Sequence, residues 1–173
     1  MTDPVSRARE LFLDDSNYYG CAETTYVALQ ELFSLSDADD SAPAMPLNGG
    51  VAYSGGACGA ITGAALAVGR LAARHLPDHF EAKRESRRLI QDLMADFIRE
   101  FGSASCRDLI PYDLLAPGQH DAFIASGIWR DVCMRQIEFA VERVARLAAE
   151  AGWASSPGDD PAASPPAPNR QPE

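Results

Sequence analysis

Four cysteines carry the chemistry that this sequence can offer, namely Cys21, Cys58, Cys106 and Cys133. Ionised thiols attack disulfides and bind soft metal ions. No two of these cysteines form a CxxC pair, and their spacing matches no ferredoxin pattern. A thioredoxin-type active site and a zinc knuckle are therefore both excluded. The fold must assemble any site that uses more than one of these thiols.

Three of the thiols follow residues that are typical of a helix start. Cys21 follows a glycine, Cys58 follows a glycine-rich segment, and Cys106 follows the sequence Gly-Ser-Ala-Ser. Unpaired backbone N–H groups and the positive end of the helix dipole stabilise a thiolate at such a position, and they can lower its pKa from about 8.5 to roughly 3.5–7.5. Arg107 and Arg130, near the third and fourth cysteines, are expected to strengthen this effect. These placements favour reactive thiols.

Cys133 differs from the other three because it lies inside a predicted helix over 128–151. It shares an apolar helix face with several core-forming residues, namely Ile137, Ala140, Val144 and Leu147. A single cysteine on such a face is more often a small core residue than a reactive group. Its participation depends on a partner thiol that the fold brings against it.

The histidines and the glycine-rich segment offer no clear competing site. His75 and His79 are four residues apart, but Pro77 disrupts the helical face that a metal-binding pair needs. His120 is predicted to lie in a loop without an obvious partner. The segment 48–56 lacks the Lys-Ser/Thr ending of a P-loop. Its glycines are instead expected to let the cysteine that follows approach other backbone closely.

Five segments have the apolar periodicity of amphipathic helices, namely 4–14, 21–35, 59–75, 80–101 and 128–151. A short helical turn is predicted at 107–110, and the acidic segment 36–46 is predicted to be a solvated loop. No strand-like alternation appears, so we expect an all-α fold, a compact bundle of about five to six helices with a Gly-rich loop. We expect a helical four-cysteine domain over 1–152 and a disordered Pro-rich tail over 153–173.

The charge balance excludes several classes of partner. With 25 acidic and 15 basic residues the chain has a formal net charge of -10, which repels nucleic acid and anionic membrane surfaces. The most apolar window, 57–69, is shorter than the about 20 residues that cross a bilayer, and the N-terminus lacks the features of a signal peptide. We therefore expect a cytoplasmic protein without membrane insertion, whose thiols are not held in permanent disulfides.

The segment CGAITG at residues 58–63 gives the chain a resemblance to a known family. Together with Gly-Cys-Ala at 20–22, FGSASCRDL at 101–109 and the later Cys133, it resembles the C-GCAxxG-C-C family of redox-active proteins. The resemblance covers about residues 7–148 and leaves the tail outside. It implies a compact helical domain with redox activity, and an association with transporter loci.

The resemblance also assigns residues. It implies that the four cysteines are the functional set, and we expect them to be the catalytic residues: Cys21, Cys58, Cys106 and Cys133. Gly59, Ala60 and Gly63 match the family's small-residue segment. Small side chains there keep the helix start open and let a second helix bring its sulfur close. Gly59 and Gly63 are accordingly expected to border a bound cofactor.

Three hypotheses about function stay open at this point. In the first, a thiol–disulfide oxidoreductase-like protein, the thiolate of Cys58 attacks an oxidised redox partner protein or small thiol, and Cys106 or Cys21 resolves the mixed disulfide. In the second, all four thiolates, Cys133 included, hold an iron–sulfur cluster or zinc. In the third, the cysteines are inert and buried in a structural or interaction protein. A homo-oligomer is compatible with each of them.

Overall fold

The computed structural model describes residues 3–153. This part of the chain contains helices and no β-strand, which confirms the all-α prediction. The α-helices are α1 (Pro4–Phe12), α2 (Cys21–Leu32), α3 (Gly59–His75), α4 (His79–Phe101), α5 (Cys106–Leu109), α6 (Gln119–Ser126) and α7 (Val132–Glu150). Two 3-10 helices lie between them, Ala42–Leu47 and Ile128–Arg130.

Local signals in the sequence explain where the helices begin and end. The Asp3 side chain accepts a hydrogen bond from the backbone N–H of Ser6 at 3.0 Å and caps α1. Asp78 caps α4 in the same way, accepting from the backbone N–H of Glu81 at 2.8 Å. Gly102 ends α4 with a left-handed φ of 83°. These caps place the bounds of α1 and α4 within two residues of those that periodicity predicts.

Helices α2 and α3 form the centre of the bundle, and small residues let them pack closely. A Cβ atom added to Gly63 would lie 2.2 Å from the carbonyl oxygen of Ala22, so only glycine permits this approach of the two backbones. Helix α7 packs across α1, α2, α3 and α4. Its inward face is buried at Ile137, Ala140 and Val144. The close packing of α2 against the small-residue face of α3 confirms the prediction from sequence.

Residues 36–40 of the acidic connection after α2 are mostly exposed, as predicted, but their backbone is hydrogen-bonded to the bundle. The Gln30 side chain is fully buried and donates to the backbone oxygens of Ala38 at 3.1 Å and Asp40 at 3.2 Å. Arg70 of α3 donates to the backbone oxygen of Ser36 at 2.6 Å. These bonds fix the chain that leads into the first 3-10 helix, and hence the position of the glycine-rich segment that follows it.

Two differences from the predicted elements affect the cysteine site. The segment 119–126 forms α6, so the prediction that His120 lies in a loop is wrong. The helix predicted over 128–151 is divided, because a 3-10 turn occupies Ile128–Arg130 and α7 begins only at Val132. The backbone N–H of Arg130 bonds to the carbonyl of Gly127 at 3.0 Å, which gives the tighter winding of this turn.

The last described residue, Trp153, packs against the bundle. Trp153, the first residue of the predicted tail, is buried, and its ring stacks on that of His75 with centroids 5.9 Å apart. The rest of that tail, 154–173, lies outside the described residues. Within residues 3–153 we find no helix with both the length and the apolar character needed to span a bilayer.

Candidate thiol site

Each of the four cysteines stands at the N-terminal end of a helix. Cys21 is the first residue of α2, Cys58 immediately precedes α3, and Cys106 is the first residue of α5, as the sequence predicts. Cys133 is the second residue of α7. It lies within the last long helix and is buried with the apolar face, as predicted, but in the first turn, because the 3-10 turn delays the start of α7.

A short antiparallel pairing brings Cys58 and Cys106 together. Ala57 and Ser105 form a β-bridge. The N–H of Cys58 donates to the carbonyl of Ala104 at 2.8 Å, and the N–H of Cys106 donates to the carbonyl of Gly56 at 2.7 Å. Side chains alternate between the faces of such a pair, so the two thiols lie diagonally opposite on one face, within side-chain reach.

Cys21 joins them through its contact with Gly59. A Cβ atom on Gly59 would lie only 2.3 Å from Cys21 Sγ, so the sulfur occupies the space that any other side chain would fill. Backbone N–H groups of Gly49, Ala22 and Gly59 hydrogen-bond to the same sulfur. Cys21 Sγ is thus held against the start of α3, directly beside Cys58.

Three of the thiols line one cavity of about 180 Å³, namely those of Cys21, Cys106 and Cys133. A cavity of about 150 Å³ accommodates a benzene-sized molecule. Aromatic rings form much of the wall, from Phe12, Tyr18, Tyr53, Phe123 and Trp129. Polar side chains complete it, from Asn17, Glu23, Asn48 and His120.

Cys58 lies behind this wall and does not line the cavity. Its side chain is 3% exposed, and its Sγ donates to Oε1 of Gln136 in α7 at 3.5 Å. A thiol that donates a hydrogen bond carries its proton, so this contact favours the neutral form of Cys58. The structure therefore brings the four cysteines together, with three facing the cavity and one packed directly behind them.

A buried carboxylate that the sequence did not single out organises the start of α2. Glu23 is 7% exposed. Its Oε2 accepts from the backbone N–H of Gly20 at 3.0 Å and from Nδ2 of Asn48 at 2.8 Å, and its Oε1 accepts from Oγ of Ser41 at 3.1 Å. The spacing Gly20-x-x-Glu23 is that of a capping box and was the available signal.

Asn48 connects that carboxylate to the reactive sulfur. Its Oδ1 accepts from the backbone N–H of Ala22 at 2.9 Å and from the Cys21 thiol, which donates at 3.9 Å and in this contact carries its proton as Cys58 does. The carboxamide also holds the chain that supplies the N–H of Gly49 to Cys21. No local pattern identifies this role of Asn48, because its partners in α2 lie 25 and 26 residues away in sequence.

The glycine-rich segment adopts a left-handed turn beside the cavity. Five consecutive residues, 49–53, have positive φ angles between 50° and 74°. Three of them are not glycine, although left-handed backbone costs such residues about 1–2 kcal/mol each. The turn presents Gly49 N–H to Cys21, and it places the Tyr53 ring against the His120 ring with centroids 4.8 Å apart. The prediction that this segment allows unusual dihedral angles and close backbone approach is confirmed.

Burial, not the helix ends, dominates the electrostatics of the thiols. It raises the pKa of all four, that of Cys106 to about 12. Charge on the neighbouring sulfur of Cys21 raises the pKa of each of the other three further. Backbone N–H groups lower the pKa of Cys21, but by less than burial raises it. The expectation of lowered thiol pKa values is therefore wrong, because loss of hydration outweighs the helix N-termini.

Neither of the two arginines expected to assist the thiols lines the cavity. Arg107 donates from Nη2 to the backbone oxygen of Ser54 at 2.9 Å. Arg130 bonds to Oδ1 of Asp15 at 2.8 Å and lies over the Trp129 ring. Both guanidinium groups are engaged with partners outside the thiol cluster.

Residues 19–147 match the family described as "Putative redox-active protein (C_GCAxxG_C_C)". The chain belongs to this family. The matched region contains all four cysteines and the CGAITG segment, which confirms the resemblance seen in the sequence. No curated protein and no solved structure matches the chain.

The glycines of the C_GCAxxG_C_C motif have packing roles in this chain. Gly59 makes room for the sulfur of Cys21, and Gly63 makes room for the backbone of α2 at Ala22. Neither glycine lines the cavity. Their contact with a bound cofactor stays a prediction.

The alternative of a metal centre finds no ligand set among residues 3–153. Within that range no group of three or more His, Cys, Asp or Glu side chains is arranged to hold a metal ion. In this arrangement the residues do not fit a zinc or iron–sulfur shell.

Proposed function

We propose that this protein is a thiol–disulfide oxidoreductase-like protein in which Cys21 attacks a disulfide and Cys58 resolves the resulting mixed disulfide. One observation carries the proposal: Cys21 lines the cavity, and its Sγ packs against Gly59, the residue next to Cys58, where nearby backbone N–H groups lower the pKa of the thiol. A substrate sulfur can thus reach Cys21 from one side, while a second thiol lies on the other.

The choice of Cys21 over Cys58 as the attacking thiol rests on access and on charge. Cys21 is partly exposed, whereas Cys58 is buried and does not line the cavity. Charge on Cys21 raises the pKa of the other three thiols, so ionisation of Cys21 keeps those three protonated. The N–H groups around its sulfur stabilise the thiolate formed during attack. This assignment replaces Cys58, the candidate favoured by sequence.

The proposed reaction moves two electrons from the protein to the substrate. Cys21 Sγ loses its proton and attacks one sulfur of the substrate disulfide, which forms a mixed disulfide and expels the other sulfur as a thiolate. Cys58 Sγ then loses its proton and attacks Cys21 Sγ, which expels the second substrate thiolate and leaves a Cys21–Cys58 disulfide. The two protons go to the two expelled thiolates.

The cavity and the charge of the chain indicate the kind of disulfide it accepts. The lining includes five aromatic rings and three aliphatic side chains, and the formal net charge is -10. Apolar and neutral or basic disulfides are therefore favoured over anionic ones. A redox partner protein and a small disulfide both meet this description. We place the reaction in a reducing compartment such as the cytoplasm, where cellular thiols would regenerate the reduced form.

The neutral aromatic disulfide 4,4′-dithiodipyridine provides the test. We expect wild-type protein to release two equivalents of pyridinethione and to form a Cys21–Cys58 disulfide, identified by peptide mass spectrometry. Cys58→Ser should release one equivalent and retain the reagent on Cys21, because no resolving thiol is present. Cys21→Ser should lose the rapid reaction.

Cys133→Ser is the matched control, since Cys133 lines the same cavity but has no part in the proposed steps. It should react as wild type does. A reagent adduct on Cys106 or Cys133 at the same rate in wild type and in Cys21→Ser would refute the assignment of Cys21. Absence of any exchange by the folded wild-type protein would refute the function and favour inert, buried thiols.

A further inference from the structure

His120 lies on the wall of the thiol cavity, at the start of α6. Its side chain is half-buried, and its ring packs on the Tyr53 ring. Its Nδ1 is 3.8 Å from Oδ1 of Asp121, which is beyond hydrogen-bonding distance. The imidazole thus faces the same enclosed space as Cys21, and no hydrogen bond to protein occupies it among the described contacts.

The buried thiols need a proton acceptor if they are to react at neutral pH. Only the thiolate attacks a disulfide, and burial keeps these thiols protonated. A general base within hydrogen-bonding reach, directly or through one water, removes that requirement for prior ionisation. The cavity must therefore supply such a base if exchange there is to be fast.

The other ionisable side chains that line the cavity are poor acceptors. Both Glu23 carboxylate oxygens already accept hydrogen bonds, from three donors in total. Tyr18 and Tyr53 are phenols, which offer an O–H donor. Cys106 and Cys133 are the remaining ionisable groups there, and burial keeps both protonated. Histidine is the side chain that accepts and releases a proton between about pH 5 and 8.

We propose that His120 is the proton acceptor for Cys21 in the exchange reaction. As Cys21 Sγ attacks, its proton passes to an imidazole nitrogen of His120, directly or through one water, and then to the expelled substrate thiolate. The proton count and the electron count of the exchange are unchanged. This inference rests on the proposed function and adds a residue, a direction of proton transfer and a pH dependence to it.

The groups that face His120 determine how its charge can change. They come from several elements: Tyr53 from the left-handed turn, Asp121 from α6 itself, and Tyr18, Glu23, Cys21, Cys106 and Cys133 across the cavity. The described residues that line the cavity include no lysine or arginine. A protonated imidazole therefore meets no positive neighbour on this wall, which lets it hold the proton between the two transfer steps.

The test is the pH dependence of the reaction of Cys21 with 4,4′-dithiodipyridine in the full chain. For the wild type we expect the rate to show a pH-dependent step that requires the imidazole. For His120→Gln we expect this step to vanish and the rate at pH 7 to fall about tenfold or more, since positioned bases contribute roughly 10²- to 10⁴-fold. Thermal unfolding should be unchanged.

His79→Gln is the matched control, because His79 is exposed at the start of α4 and does not line the cavity. It should keep the wild-type profile. His120→Ala should regain rate when free imidazole is added, which a purely structural role would not allow. If His120→Gln forms the Cys21–Cys58 disulfide with the wild-type pH profile, His120 is not the acceptor and the proposed function still stands. If the wild type itself does not exchange, the proposed function fails.

Discussion

Replacing Gly59 with alanine tests the contact that holds Cys21 beside Cys58. The new Cβ would lie 2.3 Å from Cys21 Sγ and 2.9 Å from the backbone nitrogen of Ala22. The neighbours must move by about 1 Å to restore van der Waals contact. Overpacking of this kind costs about 1–3 kcal/mol. We expect the upper part of that range, because the backbone of α2 cannot rotate away as a side chain can.

A second glycine in the same helix supplies the reference. A Cβ added to Gly69 meets no atom within 4 Å, so Gly69→Ala should gain about 1 kcal/mol from helix propensity alone. Gly59→Ala receives at most the same gain and also bears the overpacking cost. The free energy of unfolding of the two variants should therefore differ by about 2–3 kcal/mol. For a chain of 173 residues this is a difference in Tm of roughly 5–10 °C.

Urea unfolding of both variants, with the cysteines kept reduced, measures this difference. The rate of Cys21 modification by iodoacetamide should also rise in Gly59→Ala, because the new methyl group displaces the sulfur from its position against α3. If Gly59→Ala unfolds at the same urea concentration as Gly69→Ala, the sulfur does not occupy the space beside Gly59. The proposed pairing of Cys21 with Cys58 would then lose its geometric basis.

Three further changes have predictable effects on stability. Ala52→Gly should raise the free energy of unfolding by up to about 1 kcal/mol in urea titrations, because glycine relieves a φ of 50°; a loss would contradict the left-handed backbone. Glu23→Gln should lower it by about 2 kcal/mol, since the carboxylate accepts from three donors; an unchanged urea midpoint would contradict that network. Because burial raises the thiol pKa values above about 8.5, the folded protein retains protons that the unfolded chain releases. The stability of the reduced protein should therefore fall as pH rises from about 8.5 toward about 12, the pKa of Cys106. Urea unfolding across this pH range measures the fall, and Cys133→Ala should make it shallower.

The sequence was sufficient for the elements with strong boundaries. Helix α3 has its predicted bounds, Gly59–His75, because a glycine-rich segment precedes it and Pro77 follows it. Helix α6 was not predicted, since its eight residues show no clear apolar stripe. Two left-handed glycines, Gly118 and Gly127, flank α6 and were the only local signals of its ends.

The site was only partly predictable, for a different physical reason. Residue type alone identified the cysteines, but Gln136 contacts Cys58 across 78 positions of sequence and carries no local pattern. The predicted direction of the thiol pKa shifts was wrong. A helix start can be recognised in the sequence, but the depth at which the fold buries that helix start cannot. His120 was set aside for the same reason: its partners on the cavity wall come from other elements.

Burial and the backbone N–H groups at a helix start shift the pKa of a thiol in opposite directions. Under the proposed function, these two effects act on different states of the reaction. The dithiol and the disulfide are both neutral, so burial destabilises neither end state. Only the thiolate that exists during attack is charged, and it is that species which the N–H groups of Gly49, Ala22 and Gly59 stabilise. A reduced protein of this kind should resist adventitious oxidation at neutral pH. It should react when a disulfide has entered the cavity and a base has taken the proton of Cys21.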